Sequence, residues 1–171
     1  AASDVYKRQT SVSDLAKVLG KLDMEGTGGV AGYWIEKDSS QDIERAYLVQ
    51  TGLGLPDEAY YREEQHAETR KAYREFVEDM LGLVSEIERP GKYANADAAT
   101  AADAICAFET ELARGHWDNV ASRDAEKTYN PTKVEDLPTG FPFQDWLAAT
   151  GVDTQSAGGA TIVVCQPSYL E

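Results

Sequence analysis

The chain has 171 residues, 42% of them hydrophobic and 27% charged, enough for a sizeable core and outside the range of disordered or collagen-like chains. Its 16 Lys and Arg stand against 30 Asp and Glu, a net charge of −14, which argues against nucleic acid or anionic lipid as a partner. No apolar run reaches the roughly 20 residues a membrane-spanning helix needs, and the first residues lack a charged-then-apolar signal pattern, so a soluble segment without membrane contact is expected.

Residues 1–9, AASDVYKRQ, share no periodicity with the residues after them and read as a non-native or disordered leader. From Ser13 a helix is expected, with Ser13 as its cap, Asp14 at its positive end and Leu15, Val18, Leu19 and Leu22 in one stripe. The run Gly26-Thr27-Gly28-Gly29 ends it. Val30 to Lys37 and Ile43 to Gln50 are two strand-like runs around the polar loop Asp38-Ser39-Ser40-Gln41-Asp42, which predicts a β-hairpin. Thr51-Gly52-Leu53-Gly54-Leu55-Pro56 is a fixed turn leading into Asp57, a capping residue.

From Asp57 to about Val84 the pattern is helical, with Tyr73, Phe76, Val77, Met80, Leu83 and Val84 at the 3.6 period, stopped by Arg89-Pro90-Gly91. Ala94 to His116 predicts a second long helix with Ala101, Ile105, Phe108 and Leu112 on one face. A short helical stretch is expected over Val120 to Lys127 and a turn at Tyr129-Asn130-Pro131-Thr132. Thr132 is a candidate cap for a short helix through Leu137, and Phe143 to Ala149 forms another around Trp146 and Leu147, stopped by Gly151. Thr161 to Cys165 is a buried-strand pattern ended by Pro167. The order predicts a mostly helical α+β fold with a small hairpin and a C-terminal strand.

Chemistry-bearing motifs are few. No HExxH, P-loop, GxSxG or GxGxxG occurs. Glu63 and His66 form one Glu-x-x-His step, which on a helix puts both side chains on one face, but a di-iron bundle needs that step twice. His116 follows Leu112 and Ala113, so neither histidine is assigned a metal. Cys106 and Cys165 lack CxxC spacing; they are either buried free thiols, the plainer reading, or a single bridge. Around Cys106 the nearest charges, Asp103 and Glu109, would raise rather than lower a thiol pKa, against a nucleophilic role.

The segment Asp38 to Tyr61, DSSQDIERAYLVQTGLGLPDEAYY, resembles the N-terminal region of the neprilysin-like zinc metallopeptidases, the family of neprilysin and endothelin-converting enzyme. Its centre is Gly54-Leu55-Pro56 followed by Tyr60-Tyr61. Further matches keep family order: Phe108-Glu109-Thr110-Glu111-Leu112-Ala113 with His116-Trp117, then Arg123-Asp124, Lys127-Thr128-Tyr129-Asn130-Pro131, Asp145-Trp146, and Val163-Val164 with Gln166-Pro167-Ser168-Tyr169-Leu170. An unrelated domain would need all these coincidences in sequence.

The resemblance implies a metalloendopeptidase that cleaves peptides with a zinc held by two histidines of HExxH and a downstream glutamate. Those residues are not here, so no catalytic, substrate-binding or metal residue is carried onto this chain and no zinc is assigned to it. Residues 10–171 are expected to form part of the helical lid domain, truncated before the zinc domain, which is its implied partner. Tyr60 and Tyr61 are expected to pack rather than line the substrate chamber. Arg62 and Glu63 stand where mammalian members carry a cysteine, which favours an intracellular or bacterial-type branch. The competing function class is a free-standing acidic helical module that holds a basic partner.

Overall fold

A computed structural model describes residues 11–83, 97–156 and 159–171. The leader, Val84, the Arg89-Pro90-Gly91 stop and the first residues of the Ala94–His116 pattern lie outside the described residues. The chain divides into two compact units, a helical one from Leu53 to Asp118 and a sheet-containing one built from residues up to Gly52 and from Asn119 to Glu171.

The sheet unit opens with helix α1, Val12–Met24. Its cap is Ser11, not Ser13: the Ser11 side chain accepts from the Asp14 amide at 3.1 Å, and Ser13 Oγ instead donates to Asp145 at 2.5 Å. The buried face is also displaced from the expected stripe. Ala16, Val18 and Gly20 are buried while Leu15 is exposed, because α1 packs tightly on helix α5, Phe143–Ala149. A Cβ at Gly20 would lie 2.8 Å from Ala149 Cβ and 2.5 Å from the Trp146 carbonyl oxygen, so only the smallest side chains fit there.

Strands β1, Ala31–Lys37, and β2, Glu44–Gln50, pair antiparallel with Ala31 opposite Gln50 and Lys37 opposite Glu44, the expected hairpin. Alternation along β2 puts Ala46 and Leu48 into the core. The Tyr129–Thr132 stretch is not a turn but enters strand β3, Asn130–Lys133, which holds Pro131 and lies at the sheet edge, where a missing amide is tolerated. Thr132 therefore caps nothing; its hydroxyl donates to the Asn130 carbonyl, and only a 3₁₀ turn, Val134–Asp136, comes after it. Val120–Lys127 likewise reduces to the 3₁₀ turn Ala121–Arg123.

Strand β4, Thr161–Val164, is the expected buried strand, running parallel to β2 and antiparallel to β3 in the order β1-β2-β4-β3. Trp146, Leu147, Leu48, Ile162 and Val164 are central residues of the core on this sheet. Trp146 Nε1 donates to Asp23 at 2.7 Å, and its ring meets Tyr33 edge-on at 5.7 Å. Gly151, at φ +76°, terminates α5 in the left-handed conformation that suits glycine.

In the helical unit, the continuous helix expected from Asp57 is broken. Helix α2, Ala59–Arg62, ends at Glu63, whose ψ of 137° is extended; a 3₁₀ turn, Glu64–His66, leads into helix α3, Ala67–Leu83. Asp57 still stabilises the entry, accepting from the Ala59 amide at 3.0 Å. Arg70 Nη1 donates to the Tyr60 and Glu63 carbonyls at 2.8 and 2.7 Å, satisfying groups the break leaves open. Helix α4, Ala98–Gly115, is capped by Asp97 through the Thr100 amide.

The helix pair does not bury its large apolar residues. Phe76 is 58% and Phe108 57% exposed, and Met80, Leu83 and Ile105 are exposed with them. The buried residues of α4 are Ala101, Ala102, Glu109 and Ala113, with Cys106 and Leu112 half-buried, so of the expected Ala101–Ile105–Phe108–Leu112 face only Ala101 is fully buried and small side chains surround one carboxylate.

Candidate functional site

The helical unit is organised around Glu109. Tyr61 Oη donates to Glu109 Oε2 at 2.6 Å, Tyr73 Oη to Oε1 at 2.9 Å, and the Gly54 amide to Oε2 at 3.2 Å. Tyr61 Oη also accepts from the Leu55 amide at 3.0 Å. The glycine-rich turn, the tyrosine after it and both long helices are thus fastened to one buried carboxylate. Burial, and after it the Glu109 carboxylate, push both tyrosine hydroxyls well above their usual range, so they stay protonated donors. The network joins the turn to both helices through hydrogen bonds to one carboxylate.

Tyr61 is buried, as the packing expectation required, whereas Tyr60 is half-buried and stacks on His66 with centroids 4.0 Å apart. The extended backbone at Glu63 removes the helical geometry on which a Glu63–His66 pair depended. Among the described residues no three His, Cys, Asp or Glu side chains come together as a metal-binding group.

Gly54 needs no left-handed backbone; the positive φ in this region is at Gly52, +98°. What Gly54 supplies is space, since a Cβ there would stand 2.5 Å from Tyr73 Cζ, and Tyr73 cannot swing away without releasing Glu109. Gly54→Val is therefore expected to cost about 1–3 kcal/mol by overpacking, read as a lower urea midpoint. Tyr60→Phe should stay within about 0.5 kcal/mol of the parent.

In the sheet unit a buried carboxylate, Asp38, stands just after the end of β1. Its Oδ1 accepts from the Ser40 amide at 2.7 Å, Ser40 Oγ at 2.8 Å and Tyr129 Oη at 2.7 Å. Its Oδ2 takes Arg45 Nε at 2.6 Å, and Arg45 Nη1 reaches the Thr161 carbonyl at 3.0 Å. The Ser40 amide first, then Tyr129, the Ser40 hydroxyl and Arg45, hold the Asp38 carboxyl far below the usual carboxylate range. A lowered native pKa contributes stability that is present above the unfolded value of about 3.9 and is lost as pH falls toward the native one. The sheet unit should thus weaken on acidification from about pH 4 downward, and Asp38→Asn should flatten that dependence in urea titrations at stepped pH.

One face of the sheet bears α1 and α5; the other carries a groove of about 460 Å³ whose lining includes Trp34, Tyr47, Tyr129, Ser122, Cys165 and Gln166. Trp34 and Tyr47 stack with centroids 5.3 Å apart and planes 16° from parallel. Cys165 is buried and its thiol is pushed up to about 11 by that burial. Cys106 is likewise a free thiol, raised first by burial and then by Glu109, with Arg74 opposing. Neither is poised as a nucleophile.

Sequence reasoning singled out neither Glu109 nor Asp38 as an organising group. For Glu109 the usable signal is the spacing Ala102, Cys106, Glu109, Ala113, a small-residue face that would carry a glutamate into close packing. For Asp38 it is Asp-Ser-Ser after a strand, a sequence that favours an Asx turn.

A small four-stranded sheet with helices, tied by two hydrogen-bond networks around Glu109 and Asp38, defines a mostly helical α+β protein. The chain matches Peptidase family M13 over residues 2–171 and belongs to that family, in agreement with the motif series from Asp38 to Leu170. It is 28% identical over 142 residues to an endothelin-converting enzyme homolog of Locusta migratoria, covering 80% of this chain and 18% of that protein. The inhibitor complex of Mycobacterium tuberculosis zinc metalloprotease ZMP1 superposes with a TM-score of 0.82 at 36% identity, over 99% of this chain and 25% of that one. The open state of the same enzyme gives 0.82 and 36%, over 99% and 26%. A chain of the Haemonchus galactose-containing glycoprotein complex, 18% identical with a TM-score of 0.64, shares the fold. The chain thus spans about a quarter or less of the length of its first relatives.

Proposed function

We propose that this chain is a non-catalytic part of an M13 zinc metalloendopeptidase, contributing to the helical lid that encloses the cleft in which peptides are cut. The observation that carries this reading is the 36% identity to a zinc metalloprotease along 99% of the chain, joined to the absence of HExxH from its 171 residues. Residues 1–9 are read as a leader and 10–171 as lid, with the zinc domain of the same protein as partner. The zinc of such an enzyme would be held in that domain. The described residues of this chain do not fit it: His66 is stacked on Tyr60, and no metal-binding group forms among them.

Metal analysis after dialysis, beside a fluorogenic peptide assay, tests the division of labour. The 171-residue chain should retain no stoichiometric zinc and cleave nothing, while a parent reading frame that encodes HExxH after Glu171 should yield an active enzyme. One tightly held zinc per chain, or cleavage by this chain alone, would overturn the reading.

A further inference from the structure

Strand β1 lies at one end of the sheet order, paired with β2 on one side. The Asp38 amide donates to the Ile43 carbonyl at 2.8 Å. Continuing that register, Glu36, Trp34 and Gly32 exchange hydrogen bonds with β2, and the N–H and C=O groups of Tyr33, Ile35 and Lys37 point outward. The Cys165 amide, which donates to Leu48, the residue opposite Tyr33, fixes the same phase independently.

Edges of this kind are usually short or blunted by charge or proline. The other edge, β3, contains Pro131. β1 instead runs seven residues and exposes apolar groups on both faces, Trp34 at 40% and Ile35 at 52%. Its charge is acidic: Lys37 is taken by Asp42 at 2.6 Å and Arg45 by Asp38, while Glu36 and Glu44 are exposed.

We propose that the outer edge of β1 is a strand-addition site for an extended basic peptide of alternating apolar and cationic residues. Main-chain hydrogen bonds to Tyr33, Ile35 and Lys37 would supply the pairing. Cationic side chains would fall on the Trp34–Glu36 face, with the Trp34 ring and the Glu36 carboxylate, and apolar ones beside Ile35. A second copy of this chain is the poorer occupant, since each carries a net charge of −14. The site is independent of the peptidase reading, because it is a binding property of this chain without hydrolysis.

The test uses the full chain and a fluorescein-labelled Val-Lys-Val-Lys-Val-Lys amide, monitored by anisotropy. Methylating one alternate set of the peptide's amide nitrogens should abolish binding and methylating the other set should leave it, since only one set faces β1. Ile35→Pro removes an outward amide and leaves the β2 ladder intact, so it should weaken binding by about tenfold or more with an unchanged circular dichroism spectrum. Glu36→Gln should weaken binding and reduce its salt dependence, which keeps the test open if the proline variant misfolds. Absence of binding, equal effects of the two methylated sets, or sedimentation showing that the edge instead pairs two copies would overturn the proposal.

Discussion

Glu109→Ala is expected to destabilise the helical unit by about 3 kcal/mol or more, because it strips three donors of their common acceptor. Tyr61 Oη, Tyr73 Oη and the Gly54 amide all point at this carboxylate, and an unsatisfied buried donor costs about 1–3 kcal/mol each before water or relaxation recovers part of it. Glu109→Gln keeps one oxygen but turns an NH₂ toward the remaining donors, so an intermediate loss is expected. Tyr73→Phe removes a single donor and should cost about 1 kcal/mol. Urea unfolding monitored by tyrosine fluorescence checks the order. If Glu109→Ala unfolds at the parent midpoint, the carboxylate does not fasten the turn.

The same network sets an alkaline limit. Both tyrosines have native pKa values raised above the unfolded value of about 10. Their contribution is complete below that value and is lost as pH rises through the native ones. Removing Glu109 lowers the raised values and should move the phenolate transition toward neutral pH, which ultraviolet absorbance reads directly.

Trp146→Ala should cost the sheet unit about 3–5 kcal/mol, the range for deleting a buried large aromatic. Trp146 is 1% exposed, sits in the main core cluster and touches Tyr33 edge-on. Its Nε1 is also the donor that partly offsets the burial of Asp23, whose carboxyl is raised chiefly by desolvation and lowered by Trp146 and the Gly29 amide. Trp146→Phe retains most of the ring but leaves Asp23 short of a partner, so a loss of about 1–3 kcal/mol is expected. Equal stability of Trp146→Phe and the parent would show that the indole contributes by volume alone.

Local chemistry wrote the hairpin, helix α5 and strand β4 plainly into the sequence. Val30–Gln50 alternates and breaks at a polar loop, Gly151 stops α5 with the one side chain that accepts positive φ, and Thr161–Cys165 is continuously apolar between breakers. The family was legible for a different reason: short motifs from Asp38 to Leu170 retain their order, and order is a property of sequence alone. Tertiary structure decided what those patterns meet. Asn130–Lys133 is a strand only because β4 stands beside it, and β4 is interior only because β2, far earlier in the chain, pairs with its other side, which leaves β1 and β3 as the outer strands. Periodicity put Phe76 with Met80 and Ile105 with Phe108 on common helical faces, but a period says which residues share a face and not whether that face is covered. Burial went to Ala101, Ala102 and Ala113, whose small side chains let other elements come near, and it carried Glu109 inside. Burying that charge became tolerable only when Tyr61, Tyr73 and Gly54, from three separate places in the chain, were brought to it as donors, and no local sequence signal encodes that convergence.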